Sequence, residues 1–326
     1  MRFLSAVLVV VMCGLFGCDK AASEKHTIVL YTSVDESVVR PLIDRFTQQT
    51  GIAVKLQTDT EATKSVGLAE RLRAEKSSPR CDVWWGNEVF HTVRLTDEGL
   101  FAPYQSPAAK DVRGQYRDAQ NRWAGVGIRA RVIGVAPSIK DKVHGLSDLV
   151  DPQYKGKVCL GNVGIGTISG HVAALYVQWG DEKADAFFKA LVANDAKMVG
   201  GNTDVAQQIA AGNFLLGLTD NDDIAATQAA GGKIEMALPD QSDVGTLAMP
   251  TTVALIQRAD VQDDAKKLID YLLSSETEQQ LIAAKYAGWS VRAADTDFRA
   301  MKVDYATIAK AMPDTARRSG AILEKR

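Results

Sequence analysis

The sequence predicts an α/β protein of two lobes, each built on a mixed, mostly parallel sheet covered by helices on both faces. Short apolar runs rich in β-branched residues alternate with stretches of helical periodicity, which is the pattern of such sheets. The chain of 326 residues is long for a single core and natural for two. The polar clusters fall just past the carboxyl ends of predicted strands, the edge at which open α/β sheets bind ligands.

Thr27 to Tyr31 reads as the first strand, and the loop Thr32 to Glu36 leads into a helix on which Val38, Val39, Leu42, Ile43 and Phe46 recur at helical spacing until Gly51 stops it. Ile52 to Gln57 is a second strand, and a helix containing Leu68 and Leu72 runs to Lys76. Asp82 to Trp85 is a third strand, ending in Gly86-Asn87-Glu88. Trp123 to Val135 reads as a long β stretch, and Leu146 to Leu149 opens the second half. Val158 to Gly161 is a strand, Gly164 to Gly170 a glycine-rich turn, and helices follow through Trp179 and over Glu182 to Leu191. A short helix covers Asp204 to Ala211, and the strand Leu215 to Leu218 opens into Thr219-Asp220-Asn221-Asp222-Asp223. Thr251 to Gln257 returns as a strand before an amphipathic helix, or pair of helices, from Asp263 to Ala283.

Met1 to Gly17 carries one early charge at Arg2, an apolar run from Phe3 to Met12, and small residues up to Cys18. That run is too short to remain as a spanning helix and reads as a signal peptide. Leu15-Phe16-Gly17-Cys18 resembles a bacterial lipobox, whose cysteine is diacylated and becomes the new amino terminus. The alternative is an ordinary secretory peptide that contains a cysteine. Asp19 after that cysteine implies retention at the inner membrane, which places the protein in the periplasm, and residues 18–25 form a tether.

Apolar residues make up 46% and charged residues 24%, as in soluble globular proteins. A net charge of -2 offers no basic surface for nucleic acid. No CxxC, HExxH or clustered histidines point to zinc. Cys81 and Cys159 sit in apolar, strand-like settings, read as buried free thiols in preference to a disulfide. Trp84 and Trp85 alternate along a strand, so one belongs to the core and Trp85 is expected at the cleft, where it suits an organic cation, core packing of both being the competing reading. His26, His91 and His144 read as surface or loop residues, leaving His171 near a candidate site.

Leu30-Tyr-Thr-Ser-Val-Asp-Glu36, Phe46-Thr-Gln-Gln-Thr-Gly-Ile52, Ala69-Glu-Arg-Leu72, Asp82-Val-Trp-Trp-Gly-Asn-Glu88 and Glu98-Gly-Leu-Phe-Ala-Pro-Tyr104 resemble, in order and spacing, the extracellular solute-binding proteins of the ferric-ion type. Trp123 to Arg131, Gly200-Gly-Asn202 and Tyr271 to Glu276 continue the likeness across nearly all of the mature chain. The resemblance implies a two-lobed periplasmic-binding-protein fold with crossover strands near residues 124–135 and 246–257. Residues 26–127 with 253–300 would form one lobe, and 128–252 with 301–326 the other. It further implies a monomer that closes on its ligand and docks on the inner-membrane permease of an ATP-driven importer. The ATPase is then a separate chain, consistent with the lack of a GxxxxGK[ST] loop.

Ferric-binding members typically place paired tyrosines where this chain has Asp222 and Asp223, and some place a histidine where it has Asp35. Asp35, Glu88, Asp220, Asp222 and Asp223 form an oxygen-rich set suited to a hard cation, with Asp35, Glu88, Asp222 and Asp223 expected on the metal. Thr32 and Ser33 belong to the same first loop. The turn Thr167-Ile-Ser169-Gly170-His171 at a helix start is expected to hold a phosphate or carbonate, with Asn202 and Arg129 or Arg131. The same residues suit a second reading, an organic cation or aminophosphonate whose amine meets the acids. For several of the acids the competing reading is a helix cap or a solvated loop. No resident cofactor is expected, a metal ion being cargo. A periplasmic hydrolase is a third reading, against which stand the absence of GxSxG and HExxH motifs and of a serine with an evident histidine and acid. The chain is therefore expected not to be an enzyme.

Overall fold

A computed structural model describes residues 27–59, 63–258 and 263–324. The expected signal peptide 1–17, the tether 18–25 with the lipidated Cys18, and His26 lie outside the described residues. The strands are β1 Ile28–Thr32, β2 Val54–Thr58, β3 Val83–Gly86, β4 Phe101–Ala102, β5 Ala124–Val135, β6 Val158–Leu160, β7 Lys197–Met198, β8 Leu216–Asp220, β9 Glu235–Ala237 and β10 Ala248–Ile256. The helices are α1 Glu36–Thr50, α2 Val66–Ala74, α3 Val89–Asp97, α4 Gly166–Ala193, α5 Asn202–Ala210, α6 Asn221–Ala229, α7 Asp263–Leu272, α8 Ser275–Ala283 and α9 Tyr305–Leu323. No described helix is long and apolar enough to cross a membrane.

The strand order β2-β1-β3-β10-β5-β8-β6-β7 makes two half-sheets, each resting on three parallel strands. Every antiparallel pairing involves β5 or β10, the two crossover strands. The first part of β5 pairs with β10 through Ala130, and from Arg131 onward it pairs with β8. Arg129 and Arg131 thus stand where the chain passes from one half-sheet to the other. At this passage Gly127 takes φ 72°, and the register slips between Pro250 and Thr252. A left-handed glycine and a proline without an N–H both interrupt the ladder, which bends the strand there.

The apolar cores divide by sheet face. On one face Tyr31, Trp84, Phe90, Ile133, Val172 and Ile308 belong to a continuous layer, and on the other Leu30, Phe46, Trp85, Ile128, Val205 and Leu268 do. Each layer crosses both half-sheets. The alternation of a strand's side chains produces this division, and it sends Trp84 and Trp85 in opposite directions as expected.

Some helices begin or end on local signals. Gly51 ends α1 at φ 72° and donates its N–H to the Thr47 carbonyl. Gly180, at φ 77°, breaks α4 between Trp179 and Asp181, the two helices read in the sequence. Ser274 caps α8 by accepting from the Thr277 N–H, so the stretch from Asp263 is a pair of helices. The acidic run after β8 differs from expectation: Asp220 ends the strand, and Asn221, Asp222 and Asp223 form the first turn of α6. Acids are stable there because the positive end of the helix dipole and its free N–H groups face them. Cys81 and Cys159 are buried and free, in different half-sheets.

Candidate functional site

The amino termini of α4, α5 and α6 converge where β5 crosses between the half-sheets, and a cavity remains among them. It is lined by Lys64 and Asn87 from the first half, Arg129 from the crossover, and Gly166, Thr167, Asn202, Asp220 and Asp223 from the second. About 20 Å³ is open to the centre of a water-sized guest, room for one water or a monatomic ion. The two halves touch around it. Gly166 N–H donates to the Lys64 carbonyl at 3.3 Å, and Arg129 Nη1 donates to the Asn87 carbonyl at 3.2 Å.

One oxygen of each of Asp220, Asp222 and Asp223 lies within 4.8 Å of the others, all three residues buried. Two guanidiniums enter this cluster. Arg129 reaches both oxygens of Asp222 from Nη2, at 2.5 and 2.6 Å, and Asp220 at 3.0 Å. Arg131 Nη1 donates to Asp220 at 2.7 Å and to Asn202 Oδ1 at 2.9 Å. Thr167 Oγ1 and Asn202 Nδ2 donate to the second Asp220 oxygen at 2.6 and 3.2 Å. The groups expected to hold an anion therefore hold the carboxylate of Asp220.

The three acids differ in charge. Asp220 is desolvated by burial, but Arg131 and Arg129 outweigh that and keep it below the usual carboxylate range. Burial pushes Asp222 up to about 6, opposed by Arg129 and helped by the charge of Asp220. Burial and the neighbouring Asp222 and Asp220 carry Asp223 well above the ordinary value. Thr203 Oγ1 donates to Asp223 at 2.6 Å.

The other expected site residues divide between cleft and scaffold. Asp35 does not line the cavity but pairs with Lys64, which does, at 2.6 Å from its Nζ. Glu88 is not in the cavity: it caps α3, its carboxylate accepting from the Phe90 and His91 N–H groups and contacting His91 Nδ1 at 2.8 Å. The cap reading thus replaces the metal-ligand reading, because Glu88 is the residue at which the strand turns into the helix. His91, expected at the surface, is buried beside it. Trp85 is fully buried, with Nε1 3.4 Å from Thr251 Oγ1, and Trp84 Nε1 donates to Thr92 Oγ1, so both indoles are core and neither borders the cleft. Thr32 Oγ1 donates to the Trp85 carbonyl. Ser169 Oγ donates to the Gly166 carbonyl inside α4. His171 faces Arg131 at 3.5 Å rather than the cavity, and burial followed by that guanidinium drives its pKa down to about 3. Gly170 contributes closeness instead of a donor: a Cβ there would stand 2.2 Å from the Phe90 ring.

Asn87 and Lys64 were not read from the sequence. Asn87 follows the last residue of β3 and was visible in the loop Gly86-Asn87-Glu88, one position from the residue chosen. Its Oδ1 accepts from Ser33 Oγ at 3.0 Å and Ser65 Oγ at 2.6 Å, and its own N–H donates to Ser33 Oγ at 2.9 Å. These bonds hold the amide oxygen away and leave its nitrogen to the cavity. Ser65 does this from φ 67°, a costly conformation for a residue with a Cβ.

The chain resembles known proteins over most of its length. Iron uptake protein A1 of Synechocystis sp. is 28% identical over 312 residues, covering 90% of this chain and 85% of that protein. A Salmonella paratyphi A protein named as a proposed 2-aminoethylphosphonate-binding periplasmic protein is 25% identical, covering 83% of this chain and 81% of its own. Among solved structures, the ferric binding protein from Campylobacter jejuni superposes with a TM-score of 0.79 at 19% identity, over 90% of this chain and 99% of that one. A family model described as bacterial extracellular solute-binding protein matches residues 28–286, and the chain belongs to that family.

Proposed function

We propose that this solute-binding protein captures a hard metal ion of the ferric class between its two halves and delivers it to the permease of an ATP-driven importer. The carrying observation is the buried trio Asp220, Asp222 and Asp223 beside an ion-sized cavity. Burial raises the proton affinity of Asp223 and Asp222, a trivalent cation competes with those protons, and carboxylate oxygens are the ligands such a cation prefers. Asp35, paired with the cavity-lining Lys64, completes the set of acids, while Asp220 stays with its arginines. An accompanying phosphate or carbonate would meet Lys64, Asn87 and the α4 amino terminus, since Asp220 already uses Thr167 and Asn202. The names of the Synechocystis and Campylobacter relatives support iron as the cargo.

An aminoalkylphosphonate is the second reading, favoured by a cavity wall that carries both signs: Lys64 and Arg129 next to Asp223. It requires the halves to part further than the 20 Å³ cavity allows. A hydrolase gains nothing from the geometry, because Ser169 Oγ donates to the Gly166 carbonyl and His171 Nδ1 faces Arg131. We further place the lobe boundaries at 127/128, 252/253 and 300/301, the protein in the periplasm as a monomer, and its lipid anchor at Cys18.

Calorimetric titration of metal-free protein with ferric nitrilotriacetate and, separately, 2-aminoethylphosphonate decides between the two cargoes. Heat from the ferric probe alone, lost in Asp222→Ala and Asp223→Ala, supports the metal. Binding unchanged in both variants removes the assigned site.

A further inference from the structure

The donors around Asp220 form a seat for an oxyanion. Four side-chain groups converge on its carboxylate: Arg131 Nη1 at 2.7 Å on one oxygen, and Thr167 Oγ1 at 2.6 Å, Arg129 Nη2 at 3.0 Å and Asn202 Nδ2 at 3.2 Å on the other. A carboxylate has about four acceptor sites, so this one is saturated. Thr167 and Asn202 stand in the first turns of α4 and α5, whose positive ends add to the attraction for negative charge. Arg129, Thr167, Asn202 and Asp220 also line the cavity, so the seat opens onto it. A second observation shows a seat richer in donors than its occupant can use. Arg131 is fully buried and meets Thr167, Asn202 and Asp220 through Nη1 alone, while its Nη2 has no hydrogen-bond partner. A guanidinium ordinarily grips a carboxylate or phosphate through two nitrogens. Asp220, held at the end of β8, meets only one of them.

We propose that Asp220 is a specificity residue: its carboxylate fills an oxyanion seat with the chain's own negative charge, so the metal-free cleft turns away phosphate- and phosphonate-bearing solutes. The inference rests on this cavity being the cargo site, as proposed above. A phosphate or phosphonate entering beside Asp220 finds Arg131, Thr167 and Asn202 already donating, and a like charge next to it. Repulsion is strong in a desolvated site, where little water screens it. Only the Lys64 and Asn87 wall is left to an anion, and then with a bound cation to offset the repulsion. A cation meets the opposite field from the same carboxylate. Discrimination thus comes from what the site repels as much as from what it attracts, and the aminophosphonate cargo is the one disfavoured. The same geometry makes the exclusion reversible. Without the carboxylate, two buried guanidiniums lose a shared partner and the vacated seat adjoins the cavity. A free oxyanion there is not tethered to β8 and can turn to use both nitrogens of Arg131.

The experiment titrates metal-free protein calorimetrically with inorganic phosphate and, separately, 2-aminoethylphosphonate, using the parent, Asp220→Ala, and Asp220→Ala combined with Arg131→Met. The parent is expected to bind neither probe more tightly than about 1 mM. Asp220→Ala is expected to bind both at least about tenfold more tightly, the effect of restoring charged hydrogen bonds. Phosphate should raise the thermal midpoint of that variant and not the parent's. The double variant, its seat stripped of Arg131, should lose the gain. Tight binding of either oxyanion by the parent overturns the proposal, as does a gain that persists in the double variant. So does an Asp220→Ala variant that gains no affinity, or one that fails to fold even in phosphate, since a free oxyanion then does not replace the carboxylate. Ferric nitrilotriacetate judges the cargo separately: no uptake by a parent that rejects both oxyanions overturns the metal reading and leaves this assignment standing.

Discussion

Gly170 on α4 and Phe90 on α3 meet across the two halves of the molecule so closely that a methyl group at 170 would stand 2.2 Å from a ring carbon. The ring has nowhere to retreat, being fully buried and packed edge-on against Tyr305 at 5.9 Å. Gly170→Ala is therefore expected to hold the halves apart. Overpacking of this kind costs about 1–3 kcal/mol, which weakens cargo binding by roughly tenfold or more. Small-angle scattering should show a larger radius of gyration in the presence of cargo than the parent has. Gly170→Ala with Phe90→Leu should regain affinity, and a parent-like affinity in the single variant contradicts the contact.

Arg129 neutralises two buried carboxylates at once. Arg129→Met leaves Asp222 and Asp220 facing each other with less compensation, and breaking a buried pair this way costs about 3–5 kcal/mol. Urea unfolding of the metal-free protein measures the loss. Adding Asp222→Asn should recover most of it, since the uncompensated charge is then gone. A single-variant loss below about 1 kcal/mol would mean that the pair is solvated.

The proton on Asp222 gives stability a definite pH dependence. Its pKa is raised from 3.8 to about 6 in the folded chain, so the fold favours the protonated form. That contribution is complete below the ordinary value and is lost as pH climbs through about 6. Asp59, also pushed up to about 6 by burial, acts in the same window, so the comparison needed is parent against Asp222→Asn. Their stability difference should shift against the parent by on the order of 2 kcal/mol between pH 4 and 7. Ferric affinity should rise over the same interval, because the cation competes with that proton. An affinity independent of pH would exclude Asp222 as a ligand.

Both thiols of the described residues are expected to be inert. Burial raises the pKa of Cys159 to about 12 and that of Cys81 further, so neither forms the reactive thiolate at neutral pH. Disulfide reagents should label Cys81 and Cys159 only after unfolding, and rapid labelling of the native body would show that the strands open locally.

Strand and helix order was legible because it is written in spacing. Val39, Leu42, Ile43 and Phe46 mark α1 whatever surrounds them, and Gly51 ends it by its own backbone freedom. The acidic pair Asp222 and Asp223 could be picked out because it follows a strand, and it does lie in the buried cluster. Glu88 was misread for a local reason: a residue just past a strand is equally a cap for the next helix, and the carboxylate turned back onto its own N–H groups. Trp85 was misread because alternation tells which face a side chain takes and not whether that face is covered. Here the apolar layer that includes Phe46 and Leu268 covers it.

The sequence by itself determined the α/β class and the gathering of polar residues at strand ends, since local periodicity and strand polarity suffice for these, while the crossover strands came from the family resemblance. Only the tertiary structure decided which carboxylates carry charge. Two arginines contributed from β5 hold Asp220 below the usual carboxylate range, burial and its acidic neighbours carry Asp223 well above it, and Tyr286 packs against Arg129 from the segment after α8. Those outcomes depend on the burial and mutual distance of groups remote along the chain, and electrostatic energy in a desolvated site follows distance in space rather than position in sequence.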